Sequence, residues 1–323
     1  MRFWTTWIAT AVATACAFAQ PAAADYPDRP ITLIVPYAAG GSSDIVGRLF
    51  AERLERQIGQ PLVIENVGGA GGGVGAHRVA TAKPDGYTLL IGSGSEVLIR
   101  QLLQPTPYDG LKDLTAISMI GTGPMVVIGK PGLAATSLAD VLALARAKPD
   151  TLSYGSAGAG TFMHLAGEAI KFRTQTKISH VAYRGAAPVI TDVIAGHIDL
   201  GVASLASALP FIQAGQAKAF AVTSPGRTEF APQVPPLSDT PGLSGFNLEL
   251  WIGFFGPANM PAAITDKLRA GTLKVLDDPE LKKKLADQAI AVRKLVGDDL
   301  THFLTNENDK YRTIIKDGDI KMQ

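Results

Sequence analysis

Three times along this chain a short apolar run ends in a loop of glycine, alanine and serine that opens directly into a helical pattern. The first unit is Ile31-Thr-Leu-Ile-Val35, then the loop Tyr37-Ala-Ala-Gly-Gly-Ser-Ser43. After it Ile45, Val46, Leu49, Phe50, Leu54 and Ile58 recur at helical spacing, with Arg48, Glu52, Arg53 and Glu55 between them. Ser42 or Ser43 is placed to cap that helix, and Asp44 falls in its first turn, where the macrodipole favours a carboxylate. The second unit runs from the strand Pro61–Glu65 through Gly68–Gly75 into a helix that begins near Val74 and ends before Pro84. The third joins Leu152-Ser-Tyr154 to Gly155-Ser-Ala-Gly-Ala-Gly160 and the helix Thr161–Phe172.

Strands alternating with helices in this way dictate an α/β architecture with largely parallel sheets. Further strands are expected at Tyr87–Ile91, as a pair through Ile117–Ile128, at Ile178–Tyr183, Ile198–Val202, Phe220–Thr223 and Leu250–Phe255. Ser137 caps a helix that runs to Ala147, and Ala187–Ala195 forms another. The irregular stretches Gly121–Pro124 and Pro225–Pro241 are where the chain is expected to change domain. The expected division is one domain from residues 25–125 and 245–323, and a second from 126–244.

The first residues bear on the compartment. Met1-Arg2, the apolar run Phe3–Phe18 and the triplet Ala22-Ala23-Ala24 have the parts of a secretory signal peptide, expected to be cleaved before Asp25. Cys16, the single cysteine, lies within it, so the remaining chain can build neither a disulfide nor a cysteine metal site. A lipidated Cys16 is the weaker alternative. Of the 323 residues, 30 are Lys or Arg and 29 Asp or Glu, a balance that gives no footprint for nucleic acid or a polybasic membrane patch.

Catalytic signatures are missing. The chain has no G-x-S-x-G nucleophile elbow and no phosphate-binding G-x-x-x-x-G-K-[ST]. Gly71–Ala76 fits G-x-G-x-x-A formally, but no acidic residue follows at the spacing a ribose contact needs. The five histidines form no metal motif; His164 and Glu168 share a helix face and are expected to be a solvated or capping pair. No cofactor is expected. What remains is the small-residue loops, which aim backbone N–H groups and the positive end of a helix at one spot, as a carboxylate or phosphate requires. Tyr37–Ser43 and Gly155–Thr161, one on each presumed domain, are expected to grip an anion from opposite sides. An exported α/β enzyme acting on small carboxylates is the rival from another class.

Eight short landmarks in order carry a resemblance over nearly the whole chain after residue 25. They are Tyr26–Ile31, Ile34–Asp44, Gly69–Gly73, Lys83–Leu90, Tyr154–Thr161, His180–Pro188, Gly196–Leu200 and Phe220–Ser224. The chain resembles the Bug-type extracytoplasmic solute-binding receptors of tripartite tricarboxylate transporters. The resemblance implies a two-domain type II periplasmic-binding-protein fold with a ligand cleft between the domains, closing over a small organic acid. It also implies a periplasmic protein that delivers its ligand to membrane permease subunits without catalysis; nothing in the sequence demands an oligomer, and a monomer is expected. A sensory accessory protein reporting to a membrane kinase would share fold and site.

Carried onto this sequence, the resemblance implies that Tyr37, Ala38, Ala39, Gly40, Gly41 and Ser42 hold one ligand carboxylate. Ser93 and Ser95 offer hydroxyls, Ser156, Gly158 and Thr161 meet the ligand from the second domain, and Tyr183 and Arg184 lie nearby. Asp44 and Asp199 are read as caps. Relatives often carry an acidic residue in the strand after Asp199, whereas here it reads Gly201-Val-Ala-Ser204, leaving Ser204 as a polar contact. The missing carboxylate removes a partner for a ligand ammonium. The expected ligand is a dicarboxylate without an amine, an aromatic one such as terephthalate or, in competition, an aliphatic one.

Overall fold

The computed structural model describes residues 26–322, so the expected export signal and Cys16 lie outside the described residues. The chain begins with β1 (Ile31–Val35), α1 (Ser42–Ile58), β2 (Leu62–Asn66), α2 (Gly73–Ala80) and β3 (Thr88–Ser93). A π-helical turn, Ser95–Ile99, runs into α3 (Arg100–Leu103) and then β4 (Leu114–Gly123). Past Pro124 come β5 (Met125–Gly129), α4 (Leu138–Ala147), β6 (Ser153–Ser156), α5 (Phe162–Thr174) and β7 (Ser179–Ala182). These are followed by α6 (Ala186–Ala195), β8 (Leu200–Ser204), α7 (Leu205–Gln213) and β9 (Lys218–Val222). The chain ends with β10 (Leu250–Pro257), α8 (Ala262–Asp277), α9 (Pro279–Ala286), β11 (Ala291–Val292) and α10 (Gly297–Asp317).

Two sheets result, ordered β11-β4-β10-β3-β1-β2 and β7-β6-β8-β5-β9. The expected strand pair through Ile117–Ile128 is not one: Pro124 separates β4 from β5, and the two strands enter different sheets. Nor are the sheets largely parallel. The strands joined by helical crossovers, β1 with β2 and β3, and β6 with β7 and β8, are parallel. Strands that arrive from the other sheet escape that constraint: β10 runs antiparallel to β3 and β4, and β5 antiparallel to β8 and β9.

The central strands β5, β8 and β10 are buried along their whole length and read as near-continuous apolar runs. Phe50 of α1 meets Phe254 of β10 edge-on with ring centres 5.3 Å apart. Burying such a ring is worth about 1.5–3 kcal/mol. Helix α4 has the expected cap, in which Ser137 and Asp140 satisfy each other's backbone N–H. Helix α1 departs from expectation: its N-cap is Gly41, without a side-chain acceptor, and Ser42 and Ser43 already belong to the first turn. Asp44, as expected, sits in that turn, where it accepts from the Gly40 N–H at 3.0 Å and pairs with Arg48. Among the described residues no helix is long and apolar enough to cross a membrane.

Candidate functional site

Where the loops of the two sheets meet there is a narrow cavity of about 30 Å³. Tyr37, Ala38, Ala39, Gly41, Ser42 and Ser43 line one side, joined by Ser93 at the end of β3 and Ser95 in the π-helical turn. The other side is Ala157, Phe162, Met163 and Gly185–Ala187, with Leu250 from the start of β10. All but Leu250 follow the carboxyl ends of parallel strands, where open α/β sheets leave a crevice. None of the fifteen lining residues is charged.

Two helix starts converge there. Both α1, behind Gly41, and α6, behind Gly185, begin without a side-chain cap. The first backbone N–H groups of a helix have no partner within it, so each start offers donors and a positive dipole end. The approach is close: a Cβ added at Gly185 would lie 3.8 Å from that of Ala38. Phe162 supplies a flat apolar wall, held edge-on by Trp251 and Tyr311 at 6.2 and 5.6 Å between ring centres.

The loop Gly155–Thr161 is built differently, because several of its donors are already used within the loop and by the helix behind it. Thr161 caps α5 by accepting from the His164 N–H at 3.3 Å, and its hydroxyl donates to the Gly158 carbonyl at 2.7 Å. The Gly160 N–H donates to His164 Nδ1 and the Gly158 N–H to Ser156 Oγ, both at 3.3 Å. The Phe162 N–H crosses to the other sheet's loops and donates to Ser95 Oγ at 3.0 Å. Ser156 Oγ also lies 2.7 Å from His180 Nε2. Among the remaining expected contacts, the Tyr183 hydroxyl donates to Asp192 at 2.6 Å, and Ser204 caps α7 and donates to Ser207 Oγ. Arg184 is exposed beside Gly185, and the Gly40 N–H is taken by Asp44.

The cavity thus brings together Tyr37, Ala38, Ala39, Gly41, Ser42, Ser93 and Ser95 from the expected set. Gly40, Ser156, Gly158, Thr161, Tyr183, Arg184 and Ser204 stand outside its lining. Ser43 and Ala157 belong to the two expected loops and Gly185 adjoins Arg184; the sequence reading missed Phe162, Met163, Ala186, Ala187 and Leu250. The signal for α6 was present in Gly185-Ala-Ala-Pro188, since proline within a first turn marks a helix start.

One polar group was missed altogether. Glu96 has no exposure to solvent and lies directly behind the lining. The Tyr37 hydroxyl donates to its Oε2 at 2.7 Å, the Ser93 hydroxyl to the same oxygen at 2.8 Å, and the Ser93 N–H to Oε1. Burial pushes the Glu96 carboxyl up to about 7 against the opposing pull of these donors. Burial, and then the Glu96 charge, hold the Tyr37 hydroxyl well above its ordinary range.

His164 and Glu168 do not form the expected pair. His164 is wholly buried, while Glu168 accepts from the Tyr154 hydroxyl at 2.7 Å and pairs with Lys171 at 2.8 Å. The His164 and His180 rings lie 4.5 Å apart. Burial lowers both imidazoles, with the neighbouring His164 helping to bring His180 down to about 4, so both are neutral at pH 7. No group of three or more His, Cys, Asp or Glu placed to hold a metal is found among the described residues.

Residues 46–320 match the protein family described as "Tripartite tricarboxylate transporter family receptor". A UPF0065 protein of Agrobacterium vitis is 36% identical over 261 residues, covering 81% of this chain and 75% of the relative. A solved structure described as a periplasmic transporter is 35% identical and superposes with a TM-score of 0.88, covering 92% of this chain and all of that one. The R. palustris protein Rpa4515, solved with adipate, is 29% identical with a TM-score of 0.87, over 92% of this chain and 99% of that one.

Proposed function

The chain belongs to the tripartite tricarboxylate transporter receptor family, and on that premise we propose that it captures a small dicarboxylate without an amine. The observation that carries this reading is the cavity's composition: two uncapped helix starts and the hydroxyls of Ser42, Ser43, Ser93 and Ser95, with no charged side chain in the lining. An anion where the two helix starts converge is held by backbone N–H groups and hydroxyls, which stabilise a carboxylate without a formal counter-charge. An ammonium finds no carboxylate in the lining to pair with. Ala157, Phe162, Met163, Ala186 and Leu250 give the same cavity apolar surface, which suits a hydrocarbon body, and the Phe162 face suits a flat one such as terephthalate. That a neighbour in fold was solved with adipate, itself an amine-free dicarboxylate, favours the same class.

In this reading residues 25–125 with 245–323 form one domain and 126–244 the other, and ligand is enclosed as the two close. The loaded protein is periplasmic and monomeric and hands its ligand to membrane permease subunits. The test is calorimetric titration of the purified protein with adipate, terephthalate, glutamate and aspartate. Binding of one or both plain dicarboxylates, with the amino acids at least a hundredfold weaker, is expected. Tight glutamate or aspartate binding with none of the plain diacids would overturn the reading.

A further inference from the structure

Behind the lining stands a carboxyl group that the ligand reading leaves without a task. Glu96 touches two of the lining residues directly, through the Tyr37 hydroxyl and through both the hydroxyl and the N–H of Ser93. We infer that Glu96 is a positioning residue that sets the direction of these two hydroxyls, and that an anionic ligand is captured together with one proton held on the Glu96 carboxyl. The inference rests on the carboxylate reading above.

A hydroxyl has one proton to donate, and an ionised carboxylate only accepts. While Glu96 is ionised it draws the protons of Tyr37 and Ser93 inward, so Ser93 Oγ has only lone pairs left for the cavity, the wrong polarity for an anion. Protonation reverses one link. The Glu96 O–H then donates to Ser93 Oγ, and the Ser93 proton so released can turn to the ligand, whereas the Tyr37 hydroxyl keeps the Gly71 carbonyl, 3.2 Å away, as an acceptor. It also removes a negative charge one side chain away from the site of the anion, in surroundings where such a charge is poorly screened.

The surroundings of Glu96 leave the proton little else to do. Among the described residues its oxygens are met by two hydroxyls and one N–H, with no cation. The titratable groups of the packed elements are Tyr37 from the loop after β1 and Tyr108, whose hydroxyl donates to the Glu96 main-chain oxygen at 2.6 Å. Arg100 of α3 follows the same turn, and His77 of α2 stacks on Tyr108 at 6.2 Å. Helix α10 brings Tyr311, whose hydroxyl is engaged by Glu307 and Trp251. Burial already holds the Glu96 carboxyl near neutrality, and an anion bound next to it raises the group further. Affinity is therefore greatest at low pH and lost as pH rises through the range in which the free protein releases this proton.

The experiment is calorimetry with adipate across about pH 6.5–9, where adipate is fully ionised, in phosphate and in Tris, whose ionisation heats differ. Near pH 7.5 the wild-type protein is expected to take up close to one proton per adipate, read from the difference between buffers. Its affinity is expected to fall toward tenfold per pH unit on the alkaline side. E96Q, whose amide accepts with its oxygen and donates with its nitrogen at all pH, is expected to bind adipate with no buffer dependence and a flat profile. A flat wild-type profile without proton uptake would overturn the inference while leaving the ligand reading intact, and so would unchanged uptake in E96Q. Wild-type uptake stands as a readout even if E96Q does not fold. Should terephthalate be the diacid that binds, it takes the place of adipate in the same titrations; no heat with either diacid at any pH would overturn the diacid reading and this inference with it.

Discussion

The loops Tyr37–Ser43 and Gly155–Thr161 look alike in sequence: each follows a strand, each is made of small residues, and each opens a helix. In the folded chain one is open and the other is closed upon itself. The difference begins at the N-cap. Gly41 has no side chain to offer the start of α1, so its donors face the cavity. Thr161 accepts from the first turn of α5, and His164, one turn on, reaches back to the Gly160 N–H. Glycine content measures how tightly a loop can turn. Whether the loop can hold an anion depends on whether its own side chains have already met its N–H groups.

The comparison is broken most directly by giving α1 the cap that α5 already has. Gly41 is extended, with φ −81° and ψ 166°, and a Cβ there meets only the Ala38 oxygen, at 3.7 Å. G41D should therefore fold, with stability equal to the wild type or a few tenths of a kcal/mol higher. Its carboxylate takes the N–H groups meant for the ligand and repels the ligand's own charge. Dicarboxylate affinity is expected to drop on the order of a hundredfold, or about 2.7 kcal/mol. Thermal melts with and without adipate separate the two effects. A variant that loses stability and affinity together would show that the loop's shape, not its free donors, is what matters.

That a few side chains decide so much explains what was legible from the sequence. Helical spacing and β-branched runs located most of the strands and helices, because each depends on neighbours a few positions away. The first loop was legible for the same reason and because it fell within a landmark of the family, and Ser93 and Ser95 because receptors of that type place hydroxyls there. Strand direction was not, since it depends on which sheet a strand enters: the antiparallel course of β5 and β10 follows from crossings between sheets that no local pattern records. The state of Thr161 and Ser156 depends on His164 and His180, brought to them by folding. Glu96 carried no sequence signal at all. It lies in a run of apolar residues, Glu96-Val-Leu-Ile99, and its task appears only once Tyr37, 59 residues away, is folded against it.

A smaller effect is expected where the two regions touch. Gly94 has an ordinary right-handed backbone, φ −62° and ψ −17°, so alanine there carries no backbone strain. Its Cβ would lie 2.5 Å from Phe162 Cζ and 2.9 Å from the Trp251 ring. G94A must push the turn bearing Ser95 off the start of α5, depriving the Phe162 N–H of its acceptor and reopening one donor of the closed loop. Stability is expected to fall by about 1–3 kcal/mol, and adipate affinity by roughly tenfold as the cavity walls separate. Denaturant melts and small-angle scattering check this: an unchanged radius and affinity would mean that the rings yield and the two walls are not coupled through Ser95.

The smallest change is expected on the closed loop itself, and its sign carries the comparison. Thr161→Ala removes the acceptor for the His164 N–H and the donor to the Gly158 carbonyl, both buried. Loss of such a cap costs about 1 kcal/mol of stability. If the hydroxyl is used only to close the loop, the dissociation constant for adipate stays within about threefold, since the loop's contribution to the lining is made by Ala157, Phe162 and Met163. A protein of unchanged stability whose affinity collapses would place the hydroxyl on the ligand instead. The closed loop would then open when ligand binds, and the contrast between the two helix starts would belong to the empty cavity alone.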